Sequence, residues 1–249
     1  MTEKSGFDLS AVYDHLIDWP ARLNREGKYF RPLFDRLGVE TVLDAACGTG
    51  RHAAMFHSWG LRVEGADVDP VMIEKAREAF GEPEGLTWAV RGYDEPVPAA
   101  GSFDAALCVG NSLSLADSPA TAGRAVAAMI AALKEGGSLL VQLLNHWRLK
   151  EGPCTWQKCM RIADPGGDAF AVKGMHRQGS RTFIEILVLP VAGACELKRS
   201  SFTLINLEAG ELEEMARAAG AANVEIFGGY GEVPYERETS VDLVMVARK

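Results

Sequence analysis

The stretch Val42-Leu43-Asp44-Ala45-Ala46-Cys47-Gly48-Thr49-Gly50 carries the most legible chemistry in this chain of 249 residues. An apolar run leads straight into a glycine turn and then into a helical pattern. Glycine lets the backbone turn sharply and lets a ligand approach the main chain closely. Asp67 closes the next apolar run, 17 residues after Gly50. A carboxylate at that place can accept both hydroxyls of a ribose, so the spacing predicts a nucleoside site at the carboxyl edge of a sheet. Gly48-Thr49-Gly50-Arg51-His52-Ala53 also fits the dinucleotide pattern with alanine in its third place. Asp44, four residues before Gly48, distinguishes the two ligands. A carboxylate so close to the loop repels a pyrophosphate and favours a cation. A nucleoside carrying a sulfonium and an ammonium, with no phosphate, suits these acids better than a nicotinamide dinucleotide does.

Further polar residues stand where such a ligand would meet a second molecule. Asn111 and Asn145 follow the fourth and fifth apolar runs, and ligands of open α/β sheets collect at that edge. The Asn145 amide can accept a hydrogen bond from an amine. Asn111 reads equally well as a turn residue bonding its own backbone. His146 comes directly after Asn145 and is the nearest candidate base. His52 and His57 fall on the helix after the glycine turn, where a structural role is the commoner outcome, and His176 lies in a later strand-rich stretch. Trp147 and Trp156 can line a cavity or fill a core.

Alternating strand and helix signals position these residues. Val39–Ala45, Leu61–Asp67, Leu86–Val90, Phe103–Val109 and Ser138–Leu144 read as strands. They are continuous apolar runs, as expected of a parallel sheet covered on both faces. Arg51–Trp59 reads as a helix closed by Gly60. Asp69 and Pro70 open the next helix, which Gly81 ends, and Ser118 and Pro119 open another, with Val126, Met129, Ile130 and Leu133 along its buried stripe. The pattern changes between Cys154 and Ile205, where strand-like stretches are separated by turns at Asp164–Gly167, Gln178–Ser180 and Ala192–Ala194. This predicts an antiparallel meander inserted into an α/β domain. A helix at Glu208–Ala219 and strands at Asn223–Phe227 and Val241–Ala247 follow.

Composition bounds the partners. The length suits one domain, residues 1–249, with an insert at 154–205. The net charge of −8, with dispersed basic residues, argues against nucleic acid. No apolar run reaches the ~20 residues that span a bilayer, and the amino terminus has no apolar signal core. Five cysteines, an odd count without close metal-ligand spacing, predict reduced thiols, no metal and a cytoplasmic compartment.

The chain resembles the class I S-adenosylmethionine-dependent methyltransferases over nearly its whole length. The resemblance is carried by VLDAACGTG, the strand ending in Asp67, FDAALCVGNS, the LKEGG turn and the terminal VDLVMVARK. Within that class it is most similar to the glycine N-methyltransferase-like small-molecule enzymes, through Gly110-Asn111-Ser112, Asn145, the insert and GGYGEVPY. The resemblance implies a Rossmann-like seven-stranded sheet with helices on both faces and an antiparallel β insert covering the acceptor site. It implies S-adenosylmethionine as donor and S-adenosylhomocysteine as product. Asp44, Ala46 and Gly48 match positions around the methionine part, Gly50 belongs to the same cofactor-binding loop, and Asp67 matches the ribose acid. Val68 and Met72 match an apolar clamp on adenine, and Tyr93 and Val109 match positions that complete the donor pocket. The position before Tyr93 is usually an acid or amide; here it is Gly92, with Asp94 the nearby substitute. Arg25 matches an arginine that grips the donor carboxylate, on an amino-terminal helical lid spanning 1–38. Tyr13 in that lid matches a contact on the sulfonium side. Arg181, with Arg177 as the weaker match, corresponds to an acceptor-carboxylate arginine, and Tyr230 and Tyr235 correspond to aromatics closing the pocket.

The function expected is methyl transfer to the nitrogen of a small amine or amino acid, with Asn145, His146 and Tyr13 nearest the chemistry. Trp147 joins Asn111, Asn145, Arg181, Tyr230 and Tyr235 around the acceptor. An O-methyltransferase of a small natural product or carboxylate would use His146 as its base. A donor-binding regulator without turnover and a nicotinamide-dependent oxidoreductase are the competing classes. Expected partners are a small-molecule acceptor, with neither nucleic acid nor membrane; the insert leaves room for a homo-oligomer contact.

Overall fold

The computed structural model describes residues 17–98, 100–164, 167–191 and 197–249, and all that follows concerns them. They fall into two compact units. One comprises Leu23–Arg148 with Leu207–Lys249; the other comprises Leu149–Asn206 with the described residues up to Arg22. Tyr13, Cys195 and the expected turn at Ala192–Ala194 lie outside the described residues.

The larger unit holds α1 (Trp19–Leu37, whose first turn falls in the smaller unit), β1 (Thr41–Ala45), α2 (Arg51–Ser58), β2 (Arg62–Asp67), α3 (Pro70–Phe80) and β3 (Leu86–Val90). It continues with β4 (Phe103–Cys108), α4 (Pro119–Ala132) and β5 (Leu133–Leu144). The smaller unit carries β6 (Thr155–Asp164), β7 (Gly167–Gln178), β8 (Arg181–Pro190) and β9 (Lys198–Ile205). The larger unit then closes with α5 (Ala209–Ala218), β10 (Asn223–Phe227) and β11 (Asp242–Arg248).

Local chemistry sets these boundaries. The Asp69 carboxylate accepts the Val71 N–H at 2.9 Å, Pro70 fills the first turn, and Gly81 ends α3 at φ +65°. Ser118 accepts the Thr121 N–H at 3.2 Å and Pro119 opens α4. Glu208 and Glu211 form a reciprocal capping box on α5. One boundary differs from the sequence reading. Leu133 belongs to β5 rather than to the helix stripe, because it pairs with Phe103. The chain then bulges through Lys134–Gly137 before register resumes at Ala105 and Ser138.

The larger sheet has the order β10-β11-β5-β4-β1-β2-β3. Strands β1 to β5 pair in parallel, and β11 runs antiparallel to both β5 and β10. The sheet is Rossmann-like, with seven strands as expected. Phe30, Phe34, Phe56 and Ile73, from α1 to α3, pack with Val42, Val63 and Leu107 on one face. The alternate residues Leu43, Ala106 and Leu139 are as deeply buried on the other face, and α4 packs on β4, β5 and α5. Because β1 is flanked by β2 and β4, winding reverses there and leaves a crevice at the carboxyl ends of those strands.

The smaller unit is a four-stranded antiparallel sheet in sequential order β6 to β9, the meander the turns predict. Ile162, Ala169, Ala171, Ile186 and Val188 form its buried apolar cluster. No helix among the described residues is long and apolar enough to cross a membrane. Among them, no group of three or more His, Cys, Asp or Glu is arranged to hold a metal ion.

Candidate functional site

The turn after β1 opens with two residues in the left-handed region, Ala46 at φ +59° and Gly48 at φ +56°. The Cys47 N–H donates to the Ala66 carbonyl at 2.9 Å, which ties the turn to β2. The Gly48 N–H donates to Asp67 Oδ2 and the Asp69 N–H to Asp67 Oδ1, each at 2.9 Å. Both carboxylate oxygens are thus held in place and keep lone pairs for further donors. Burial raises the Asp67 carboxyl above its ordinary value, against the lowering effect of those two N–H groups. A Cβ added at Gly48 would meet nothing within 4 Å, so this glycine opens onto free space.

Gly50 behaves differently. A Cβ there would lie 2.5 Å from the Trp88 ring and 2.9 Å from Ala76, and one at Gly65 would lie 2.6 Å from the same ring. Trp88 crosses from β3 over Gly65 to reach Gly50, with its indole N–H donating to the Gly81 carbonyl at 2.8 Å. Gly50 thus has a packing reason to be glycine as well, because indole occupies the space a side chain would need.

Asp44, in β1, is 1% exposed. Burial raises the Cys47 thiol, and Asp44 and Asp67 raise it further. Burial, with Asp44 adding to it, pushes Cys108 up to about 12. These thiols stay protonated around the acid and fill space as small apolar groups. At the ends of β2 and β3, Val68 and Val90 are 69% and 54% exposed, and Val90 pairs with Asp67. With half-buried Met72 they form an apolar wall beside Asp67, and Val109 is buried at the end of β4. Burial pushes the half-buried Tyr93 hydroxyl up to about 12. Asp94 is engaged by Arg124 at 3.1 Å. At Gly92 the N–H donates to Glu95 Oε1 at 3.2 Å, so the neighbouring acid turns inward on its own loop. Arg25, largely exposed on α1, lies 3.8 Å from Glu26.

The acceptor-side residues divide into engaged and open. Asn145 is 2% exposed and its amide is fully committed. Its Nδ2 donates to the carbonyls of Arg237 and Ser240 at 2.8 Å each, and its Oδ1 accepts from the Trp147 N–H at 3.2 Å and the Tyr235 hydroxyl at 3.3 Å. In this arrangement it fastens the segment before β11 to the end of β5 and has no lone pair left for an amine. Asn111 sits at φ +74° with its Oδ1 accepting the Leu144 N–H at 3.0 Å, a bond that joins the ends of β4 and β5. His146 is buried in the short turn His146–Arg148. Trp147 donates to the Leu207 carbonyl at 3.2 Å and carries the Arg237 guanidinium 4.2 Å above its ring, with Arg237 also bound to Glu208. The Tyr230 ring packs on Tyr29 and Phe30 at 5.1 and 5.3 Å. In the smaller unit, Arg181 is exposed at the start of β8. Arg177 is held by the Leu149 carbonyl and Glu151, and His176 stacks on Phe183 at 4.9 Å.

One feature escaped the sequence reading. Glu26 is 2% exposed and lies 2.6 Å from His52, which is 5% exposed. Its spacing from Phe30, Leu33 and Phe34 puts an acid on the apolar stripe of α1, a signal visible in the sequence.

Residues 42–137 match a family model described as a methyltransferase domain. That domain is of the class I S-adenosylmethionine-dependent methyltransferase type. Over 151 residues it is 34% identical to a glycine/sarcosine N-methyltransferase of Parasynechococcus marenigrum (strain WH8102), covering 58% of this chain and 52% of that one. The chain spans about half the length, or less, of the curated relatives it matches. In fold it is similar to a solved amino pentose methyltransferase from Micromonospora echinaspora involved in calicheamicin biosynthesis. That similarity has a TM-score of 0.72 at 23% identity, with 96% and 97% of the two chains covered. A sugar N-methyltransferase from Streptoalloteichus sp ATCC 53650 gives a TM-score of 0.73 at 21% identity, covering 90% and 85%. The residues of this chain fit S-adenosylmethionine on their own geometry. Asp67 has fixed oxygens with capacity for further donors, Gly48 has open space for close approach, an apolar wall stands beside Asp67, and Asp44 is a buried acid in the adjoining strand.

Proposed function

We propose that the protein transfers a methyl group from S-adenosylmethionine to the nitrogen of a small amine or amino acid, leaving S-adenosylhomocysteine. The observation that carries the reading is the Asp67 carboxylate, held by Gly48 and Asp69 beside an open Gly48, with buried Asp44 in the adjoining strand. The bound donor supplies a methyl on a sulfonium, a leaving group that departs neutral. This chain orients and aligns. Asp67 takes the ribose hydroxyls, Val68, Val90 and Met72 hold the adenine, and Asp44 offsets positive charge near the turn. Arg25 holds the donor carboxylate as a guanidinium–carboxylate pair. Alignment of this kind is worth roughly 7–11 kcal/mol of barrier. An amine acceptor needs no dedicated base once its lone pair is free.

The names of the relatives and of the fold neighbours, glycine/sarcosine and sugar N-methyltransferases, support nitrogen as the acceptor atom. A cytoplasmic setting belongs to the same proposal, supported by free thiols at Cys47, Cys108, Cys154 and Cys159. Mass spectrometry of products from a panel of amino acids, amino sugars and hydroxy compounds tests it. Methylated amines are expected; hydroxy products alone would replace the reading with O-methylation, for which buried His146 is the candidate base. Tight binding of S-adenosylhomocysteine with no product from any acceptor would point to a regulator instead.

A further inference from the structure

Among the described residues, the Glu26 carboxylate meets His52 and Arg25. Oε2 lies 2.6 Å from His52 Nε2, and Oε1 lies 3.8 Å from the Arg25 guanidinium. A carboxylate and an imidazole at this distance share one hydrogen between them. The Glu26 and His52 side chains are 3% and 7% exposed, and the His52 ring lies 6.5 Å from Phe30 and 6.1 Å from Phe56. The three residues stand at informative places. His52 is the second residue of α2, which begins directly after Gly50. Arg25 projects from α1 with most of its side chain in solvent. Arg25 and Glu26 also act on the half-buried carboxyl of Asp242, which burial raises and the Gln142 amide and then Arg25 lower. Gln142 donates to Asp242 at 2.8 Å and accepts the Gly110 N–H at 2.8 Å. Arg25 therefore lies near the edge where β4 and β5 end and β11 begins.

A polar pair in such an apolar setting is a weak way to hold two helices together, because well-packed hydrocarbon of the same volume does so as well or better. What the pair adds is a fixed separation and direction between α1 and the turn after β1. We propose that Glu26 and His52 are positioning residues that hold Arg25 in register with the Asp44–Gly50 turn, so that both ends of the donor's amino-acid portion are met at once. The proposal rests on the donor site described above.

Calorimetric titration with S-adenosylhomocysteine, combined with thermal unfolding of the free protein, tests it. Binding by the native protein tests the donor site itself; failure there removes that site and this inference together. The double variant Glu26→Leu/His52→Phe replaces the pair with hydrocarbon. Its unfolding midpoint is expected to equal or exceed the native one, while affinity for S-adenosylhomocysteine falls by about tenfold, the scale of a lost hydrogen bond to a charged group. The donor KM is expected to rise in parallel, with kcat at saturating donor unchanged. A variant that folds and binds as tightly as the native protein overturns the proposal, with the donor site left intact. If the double variant does not fold, Glu26→Gln decides. That substitution keeps an oxygen for His52 and loses the charge facing Arg25, so weaker binding at an unchanged midpoint is expected. Unchanged binding overturns the role.

Discussion

At the scale of single residues, the site is decided by how many hydrogen-bonding positions each side chain has left. Asp67 has both oxygens fixed by main-chain N–H groups and keeps capacity for a ligand. Asp67→Ala is expected to weaken S-adenosylhomocysteine binding by about 1–3 kcal/mol, measured by calorimetry. Its raised carboxyl gives the pH dependence a sign. On the proposed ribose contact the ionised form is the acceptor, so affinity should be flat near neutrality. It should fall as the pH is lowered, with the loss starting above the ordinary aspartate range. A pH series of titrations on the native protein checks this, and a loss confined to lower pH would contradict it. Asn145 is the opposite case, with every position already used. Asn145→Ala leaves the Arg237 and Ser240 carbonyls without their donor and should lower stability by about 2–3 kcal/mol in urea titration. Asn145→Asp keeps the shape and cannot donate to either carbonyl, so it should be no better than alanine. Recovery of stability in the aspartate variant would contradict the role assigned to the amide.

At the scale of elements, caps and turns were legible because each is written within a few residues. Asp69-Pro70 with Gly81 and Ser118-Pro119 cap or end helices where the sequence placed them. The glycine turn was half legible. Its conformation was local, but the neighbour of Gly50 is Trp88, on a strand two helices later in the chain. This contact makes a prediction about β2. Gly65→Ala pushes a methyl into the indole and should cost about 1–3 kcal/mol. Combining it with Trp88→Leu should return part of that loss, a non-additivity that urea unfolding of the single and double variants can read. Strict additivity would show that the ring is not what forbids a side chain there.

At the scale of the whole molecule, a half-buried carboxylate at the amino-terminal ends of the central strands joins β1 to β4. Asp104 accepts from the N–H groups of Glu40 and Thr41, from the Thr41 hydroxyl and from Lys134 at 2.7 Å. Burial alone would raise its carboxyl; the Lys134 and Thr41 hydrogen bonds outweigh it and hold the value at about 2, below the ordinary 3.8. A depressed folded-state value stabilises the fold above the unfolded value and is lost as pH falls through the folded one. The side chain is 21% exposed, so its ionisation should contribute about 2 kcal/mol near neutrality, lost between roughly pH 4 and 2. Urea midpoints in Asp104→Asn should lack that part of the native pH dependence. An identical profile in the two proteins would remove the assignment.

The sequence by itself determined the alternation of strands and helices, the antiparallel insert, the glycine turn and the acids Asp44 and Asp67, because these depend on periodicity and on contacts a few residues apart. Only the tertiary structure decided which polar side chains were already spent. Asn145 reaches Arg237, 92 residues away, and Glu26 reaches His52, 26 residues away. Periodicity assigns a residue to a face or a strand end, but the partners at that place come from distant segments, and they decide how much hydrogen-bonding capacity a side chain keeps for a ligand.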